Sequence, residues 1–264
     1  MLAMPVIAGS GSGTNLGCAL REVGRAAWLP ALGLRGWEGK EATRKPLVGL
    51  GFLGDTGVRH SVARMSRIAV FGAGGRAGQA AVAEALQRGH NVTAVVREPS
   101  RYTGPAEARV VQGDVLQAQA IEADAVISAV HQPGHDFFVR VAKALNQLAA
   151  TRIVVVGLAS ILPTADGTLL MDTAGYPQEY RDFYLAHAAG VAALGGGDWV
   201  VVSPAGDFDH GGPRSGRYAV TDADAAGRVS YADLAVALLD EIEEPRHRRV
   251  HIGVSWCAGD GRPG

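Results

Sequence analysis

Only two cysteines occur among 264 residues, Cys18 and Cys257, and neither belongs to a Cys-x-x-Cys or Cys/His cluster. That pattern excludes a disulfide framework and a closed structural zinc site, and it fits a reducing, cytoplasmic setting. Excess charge is also missing: 25 Lys and Arg stand against 26 Asp and Glu for a net charge of -1. There is no electrostatic reason to expect a nucleic-acid partner. No uninterrupted apolar run approaches the ~20 residues that cross a bilayer, the longest candidates being strand-like stretches such as Ile153 to Leu158. No membrane span is expected. The opening residues lack the basic region and continuous apolar core of a secretory signal, so Asn15-Leu16-Gly17-Cys18 does not read as a lipoprotein site.

Lysine is nearly as scarce, with Lys40, Lys45 and Lys143 alone. The consequence falls on chemistry, because a tyrosine acid in many ketone reductases relies on a lysine four residues later to lower its pKa. Four positions beyond Tyr102, Tyr176, Tyr180, Tyr184, Tyr218 and Tyr231 stand Ala106, Tyr180, Tyr184, Ala188, Asp222 and Ala235. Carbonyl reduction by that dyad is disfavoured. Gly-x-Ser-x-Gly, His-Glu-x-x-His and Gly-x-x-x-x-Gly-Lys are absent too, which removes hydrolase and NTPase readings. His131 and His135 are four apart, and Asp207, Asp209 and His210 cluster, but no further ligand is set by spacing. They read as polar loop residues, with no metal.

What is present divides unequally. Residues 1–65 hold 12 of the 36 glycines and a charge of +4, from eight Lys or Arg against four Asp or Glu. Gly33, Gly36, Gly39, Gly49, Gly51, Gly54 and Gly57 interrupt any long helix or strand, so this reads as an irregular extension. Strong order begins at Ser66-Arg67-Ile68-Ala69-Val70, immediately after Met65, the pattern of an extension created by a misassigned start codon. An abundant native protein beginning before Met65 would count against that origin.

From there to residue 264 short Val/Ile/Ala runs alternate with helical stretches. The pattern predicts strands at 67–72, 91–97, 109–113, 124–130, 152–158, 199–203 and 249–254, and helices near 77–88, 136–150, 179–194 and 231–243. Gly89 reads as the C-terminal cap of the first helix, and Ser230 with Asp233 as a capping pair for the last. Strands without polar alternation imply helices on both faces. The expected fold is α/β, a Rossmann-like doubly wound parallel sheet with a small C-terminal substrate lobe.

The sharpest motif is Ile68-Ala69-Val70-Phe71 running into GAGGRAG, where Gly72, Gly75 and Gly78 are three apart and a helix follows. A dinucleotide's pyrophosphate must approach backbone amides at such a helix start, and side chains at Gly72 or Gly75 would obstruct the turn or the approach. Gly78 would let the helix pack closely on its strand. An NAD-specific site usually places an acid about 20 residues on, at the end of the second strand. Here that strand ends in Arg97, whose guanidinium suits a 2′-phosphate, with Arg76 as a second cation. NADPH is expected over NADH. At later strand ends, Asp114 and Val115 border the adenine, and Ser128, Ala129 and Val130 the ribose and pyrophosphate; Asp114 also reads as a helix N-cap.

The runs IAVFGAGGRAG, VVREPSR, VVQGDV, DAVISAV, GTLLMDTAGYPQEY, DWVVVSPAGDFDHG, SGRY and VSYADLAVALLDEIEEP together resemble the atypical short-chain dehydrogenases of the NAD(P)H-flavin reductase type. Biliverdin-IXβ reductase and NmrA-like proteins are more distant relatives. The resemblance spans about residues 66–254. It implies NADPH along Gly72, Gly74, Gly75, Arg76, Ala77, Gly78 and Arg97, with Ser203, Pro204 and Ala205 near the nicotinamide, and a flavin or similar planar small-molecule acceptor stacked there. The residues expected to line the acceptor pocket are His131, Ser160, Tyr176, Tyr180, Tyr184, His187, Asp207 and Phe208. For Tyr180, Tyr184 and His187, which share one helical face, packing is an equally good reading. The competing reading is a non-catalytic NmrA-like NADP sensor with a regulatory protein partner. A sugar-nucleotide epimerase is disfavoured by the absent dyad and the short region after residue 203.

Overall fold

The computed structural model describes residues 65–257 apart from 133, 135 and 149–151. The expectations for residues 1–64 and for His135 lie outside the described residues. Eight strands form one sheet in the order β3-β2-β1-β4-β5-β6-β10-β8. These are β1 (Arg67–Phe71), β2 (Asn91–Val96), β3 (Arg109–Gln112), β4 (Ala125–Ser128), β5 (Arg152–Val156), β6 (Trp199–Pro204), β8 (Ala219–Thr221) and β10 (Val250–Ser255). All pair in parallel except β8, which runs antiparallel to β10. The first six follow the doubly wound order, so the winding reverses between β1 and β4.

Side chains alternate across the sheet, yet both faces are dry. From β1, Ile68 and Val70 enter a core shared with Ala81, Val82 and Ala85 of α1 (Arg76–Gln87) and Leu234, Leu238 and Leu239 of α4 (Tyr231–Glu243). Ala69 and Phe71 enter the opposite core with Phe137, Phe138, Val141 and Leu145 of α2 (Phe137–Leu145) and Ala186 of α3 (Arg181–Ala192). This is why the strands show no polar period.

α2 stops at Leu145 rather than near residue 150. The N–H groups that follow switch to i−3 acceptors, Gln147 N to Ala144 O at 3.1 Å and Leu148 N to Leu145 O at 3.0 Å, and the Asn146 side chain ties this end to the chain after α3, donating to Ala193 O at 3.0 Å and accepting from Gly195 N at 2.9 Å. Gly89 adopts φ +82° just past α1, as the cap reading requires. Ser230 Oγ accepts from Asp233 N at 3.0 Å, but the Asp233 carboxylate does not return the bond. Fully buried, it accepts from Ser215 N, Gly216 N, Ser215 Oγ and Trp256 Nε1 at 2.8–2.9 Å. It thereby ties the small C-terminal lobe to α4.

That lobe contains the elements the sequence pattern did not reveal. β7 (Asp207–Asp209) pairs in parallel with β9 (Arg228–Ser230) as a separate two-stranded sheet, and β8 forms the edge beyond β10. Three-residue strands carry too few alternations to register as a period.

Candidate functional site

The strand order places a crevice at the carboxyl ends of β1 and β4, and a cleft of about 540 Å³ occupies it. Each glycine of the turn has its own reason. Gly72 sits at φ +75°, and a Cβ there would lie 2.4 Å from Ala129 O, just past the end of β4. At Gly78 a Cβ would lie 2.1 Å from Gly72 O, so α1 packs on β1 only without a side chain. Gly75 is exposed, and its Cβ would meet nothing nearer than Gly72 O at 3.4 Å. Its bareness serves the cleft, not the fold. Gly75 is also the N-cap of α1, with no side-chain cap and no acid in the first turn. The N–H groups of that turn have no side-chain acceptor, the arrangement with which a helix start can hold an anion.

Among the expected cofactor residues, Gly72, Gly74, Gly75, Arg97, Asp114, Val115, Ala129 and Val130 line this one cleft. Asp114 also bonds Leu116 N through Oδ1 at 2.9 Å, so it caps the following turn while facing the cleft. Arg97 is exposed and donates to Gln132 Oε1 at 3.2 Å. Its neighbour Glu98 pairs with Arg101 at 3.4 Å.

The remaining cofactor expectations lie outside the cleft lining. Ala77 and Gly78 carry backbone N–H groups of the first turn of α1, next to Gly75, and the Arg76 guanidinium contacts His210 Nδ1 at 2.8 Å. Arg101, unnoticed in the sequence, is a second cation lining the cleft, at the end of the 3₁₀ turn Pro99–Arg101. Ser128 alternates to the other side of β4 and lines a cavity of about 30 Å³ under α2 and α3. Pro204 is buried in β6, in register with Val254.

The acceptor residues separate likewise. His131 is exposed, lines the cleft, and meets Phe183 edge-on with ring centres 5.2 Å apart. Ser160 and Tyr176 hydrogen-bond at 2.9 Å, and Tyr180 is half-buried with its ring 6.5 Å from Tyr184. Tyr184 is fully buried with no partner for its hydroxyl, and burial pushes its pKa up to about 12. His187 lies under α2, its ring 3.6 Å from Phe138. Both are core residues that a substrate cannot reach. Phe208 stacks on Tyr231 at 4.1 Å and Asp207 accepts from Phe208 N at 2.7 Å, so Phe208 is occupied within the lobe.

A further polar group on the same side of the sheet has no sequence signature. Ser203 Oγ and His251 Nε2 are 2.6 Å apart across β6 and β10. Burial lowers the pKa of His251 to about 4 and that of His187 to about 3. An unfolded histidine titrates near ~6.5, so below that pH the unfolded chain binds protons that the folded chain refuses. Stability is therefore expected to fall as pH drops from ~6.5 toward 4, by about 1.4 kcal/mol per pH unit for each histidine. Melting temperatures across that range check this, and His187→Leu should make the decline shallower. An unchanged slope in the variant would refute the assignment.

Among the described residues no cluster of three or more His, Cys, Asp or Glu is placed to hold a metal, and no helix is long and apolar enough to cross a membrane. Residues 72–245 match the model of a family of NAD(P)H-binding proteins. The chain belongs to this NAD(P)H-binding family. It is 35% identical over 208 residues to the uncharacterized protein YwnB of Bacillus subtilis, covering 71% of this chain and 97% of that protein. Among solved structures, a Streptococcus pneumoniae protein named "putative NADH-flavin reductase" is 32% identical with a TM-score of 0.63, covering 72% of this chain and 99% of the other. A Bacteroides thetaiotaomicron protein named "putative epimerase" is 29% identical with a TM-score of 0.64, covering 74% and 98%. The geometry fits the nucleotide this family binds: Gly75 leaves room for the pyrophosphate at uncapped N–H groups, and two arginines stand at the β2 end of the cleft.

Proposed function

We propose that this NAD(P)H-binding protein is a reductase that takes NADPH in preference to NADH and passes its reducing equivalents to a flavin or similar planar small molecule. The observation that carries the reading is Arg97, exposed in the cleft wall at the end of β2, where an acid would favour the unphosphorylated ribose. The bound reduced nicotinamide supplies a hydride. The chain contributes orientation and exclusion of water: Gly75 and the α1 N-terminus hold the pyrophosphate, Arg97 and Arg101 the 2′-phosphate, and His131 offers a ring edge at the β4 end. The name of the Streptococcus pneumoniae neighbour supports a flavin as acceptor. The sparse, widely separated cysteines support a cytoplasmic location.

The deciding experiment follows NADPH oxidation by the purified protein with and without FMN, FAD or riboflavin, beside direct NADPH and NADH titrations. Flavin-dependent oxidation with tighter NADPH binding is the expected result. Tight binding without turnover would overturn it in favour of an NmrA-like sensor acting on a regulatory protein. Arg97→Ala should weaken NADPH binding about 10- to 100-fold, the worth of one charge-assisted contact, and leave NADH within about twofold. Equal losses for both nucleotides would remove Arg97 from the phosphate site.

A further inference from the structure

One side-chain bond joins the nucleotide turn to the C-terminal lobe. Arg76, the first residue of α1 and next to Gly75, places its Nη1 2.8 Å from Nδ1 of His210. A guanidinium only donates, so His210 Nδ1 accepts. Both residues are exposed. His210 directly follows β7, in a turn where Asp209 Oδ1 accepts from Gly211 N at 3.0 Å, and its ring centre lies 5.6 Å from that of Tyr231, which stacks on Phe208 at 4.1 Å. Tyr231 opens α4, and α4 shares a core with α1. The packing of the two helices thereby sets the imidazole beside the helix start.

The hold on Arg76 is light compared with that on its neighbours. At the far end of α1, Arg88 is paired with Glu84, Asp240 and Glu243, and Arg214 is paired with Glu84 at 2.7 Å. Among the described residues Arg76 has no carboxylate partner, only the ring nitrogen. A phosphate offers a guanidinium two parallel bonds and a full opposite charge, where an accepting ring nitrogen offers one bond. The exchange of one for the other is favourable.

We propose that the Arg76–His210 bond is a clasp that the dinucleotide's pyrophosphate displaces: Arg76 turns from the lobe to the phosphate, and the His210 ring is released. This rests on the pyrophosphate lying at the Gly75 turn. In the free protein His210 is a positioning residue that holds the guanidinium outside the cleft lining. In the complex the freed ring belongs to the lobe alone, so the lobe registers an occupied cleft through the loss of one bond. Two consequences of opposite sign follow. Cutting the clasp on the lobe side spares the nucleotide the cost of breaking it, whereas cutting it on the helix side removes the cation that the nucleotide gains.

The test is NADPH titration of wild type, His210→Ala, Arg76→Ala and the double variant. His210→Ala should tighten binding about 3- to 10-fold, the worth of one hydrogen bond that no longer has to be broken. Arg76→Ala should weaken binding about 10-fold, and the double variant should match it, because His210 acts only through Arg76. Weaker binding in His210→Ala, or a His210 effect of the same size with and without Arg76, would overturn the clasp. Unchanged affinity in all three variants would overturn it too, and Gly75→Asp then separates the readings: lost binding there leaves the pyrophosphate site intact, whereas retained binding removes both. A readout beyond affinity is nitrogen-15 NMR of the histidine rings, with the His210 signal identified by its loss in His210→Ala. Saturating NADP⁺ should move the His210 Nδ1 signal in wild type. In Arg76→Ala the signal should already be displaced before nucleotide is added and should move less on saturation. Equal movement in both proteins would refute the exchange.

Discussion

Gly75→Asp should lose NADPH binding by at least about 100-fold while melting at or above the wild-type temperature. The backbone at Gly75, φ -82° and ψ 167°, is extended and open to any residue, and a Cβ there makes only an ordinary contact at 3.4 Å. Aspartate is moreover among the best N-cap residues, worth about 1 kcal/mol to a helix that has no side-chain cap. What stabilises the helix spoils the site, because the carboxylate occupies the N–H groups the pyrophosphate needs and sets like charge against it. Lost charge-assisted hydrogen bonds of about 1.5–3 kcal/mol plus repulsion give that fold-change or more. Titration of the nucleotide and a thermal melt on the same sample separate the two effects. Unchanged NADPH affinity would move the nucleotide away from this turn.

Gly78→Ala, three residues on in the same motif, should do the reverse and damage the fold itself. Its Cβ would lie 2.1 Å from Gly72 O and 2.8 Å from the Ala73 Cα, backbone atoms that cannot rotate away. α1 must then withdraw from β1, loosening Ala81, Val82 and Ala85 against Ile68 and Val70. The alanine's better helix propensity offsets about 1 kcal/mol. Overpacking of this kind costs about 1–3 kcal/mol and more where backbone must shift, so a net loss of about 2–3 kcal/mol is expected. For a domain of this size that lowers Tm by about 5–10 °C. A melt indistinguishable from wild type would mean that α1 does not approach β1 as closely as the contact demands.

The contrast between these glycines marks what was legible beforehand. Their three-residue spacing between a buried strand and a helix identified the turn, and with it the parallel sheet and the nucleotide. Their division of labour was read from chemistry, and the 2.4, 2.1 and 3.4 Å approaches supply the numbers. The acceptor side was less legible. Tyr184 and His187 carry the residue types a pocket uses, but their helix turns both into the core. A helical period tells which residues share a face; it does not say whether that face meets solvent, a ligand or a neighbouring helix.

The chain sequence by itself determined the seven parallel strands of the main sheet, the helices that cover both sheet faces, the glycine-rich turn and the cation at the end of β2, because each depends on neighbours within a few residues. Only the tertiary structure decided that Arg76 faces His210 while Arg101 joins Arg97, that Ser128 turns from the cleft, and that Ser160 meets Tyr176. Those pairings span loops whose paths are set by packing between distant segments, and no local spacing encodes which side chains such loops bring together.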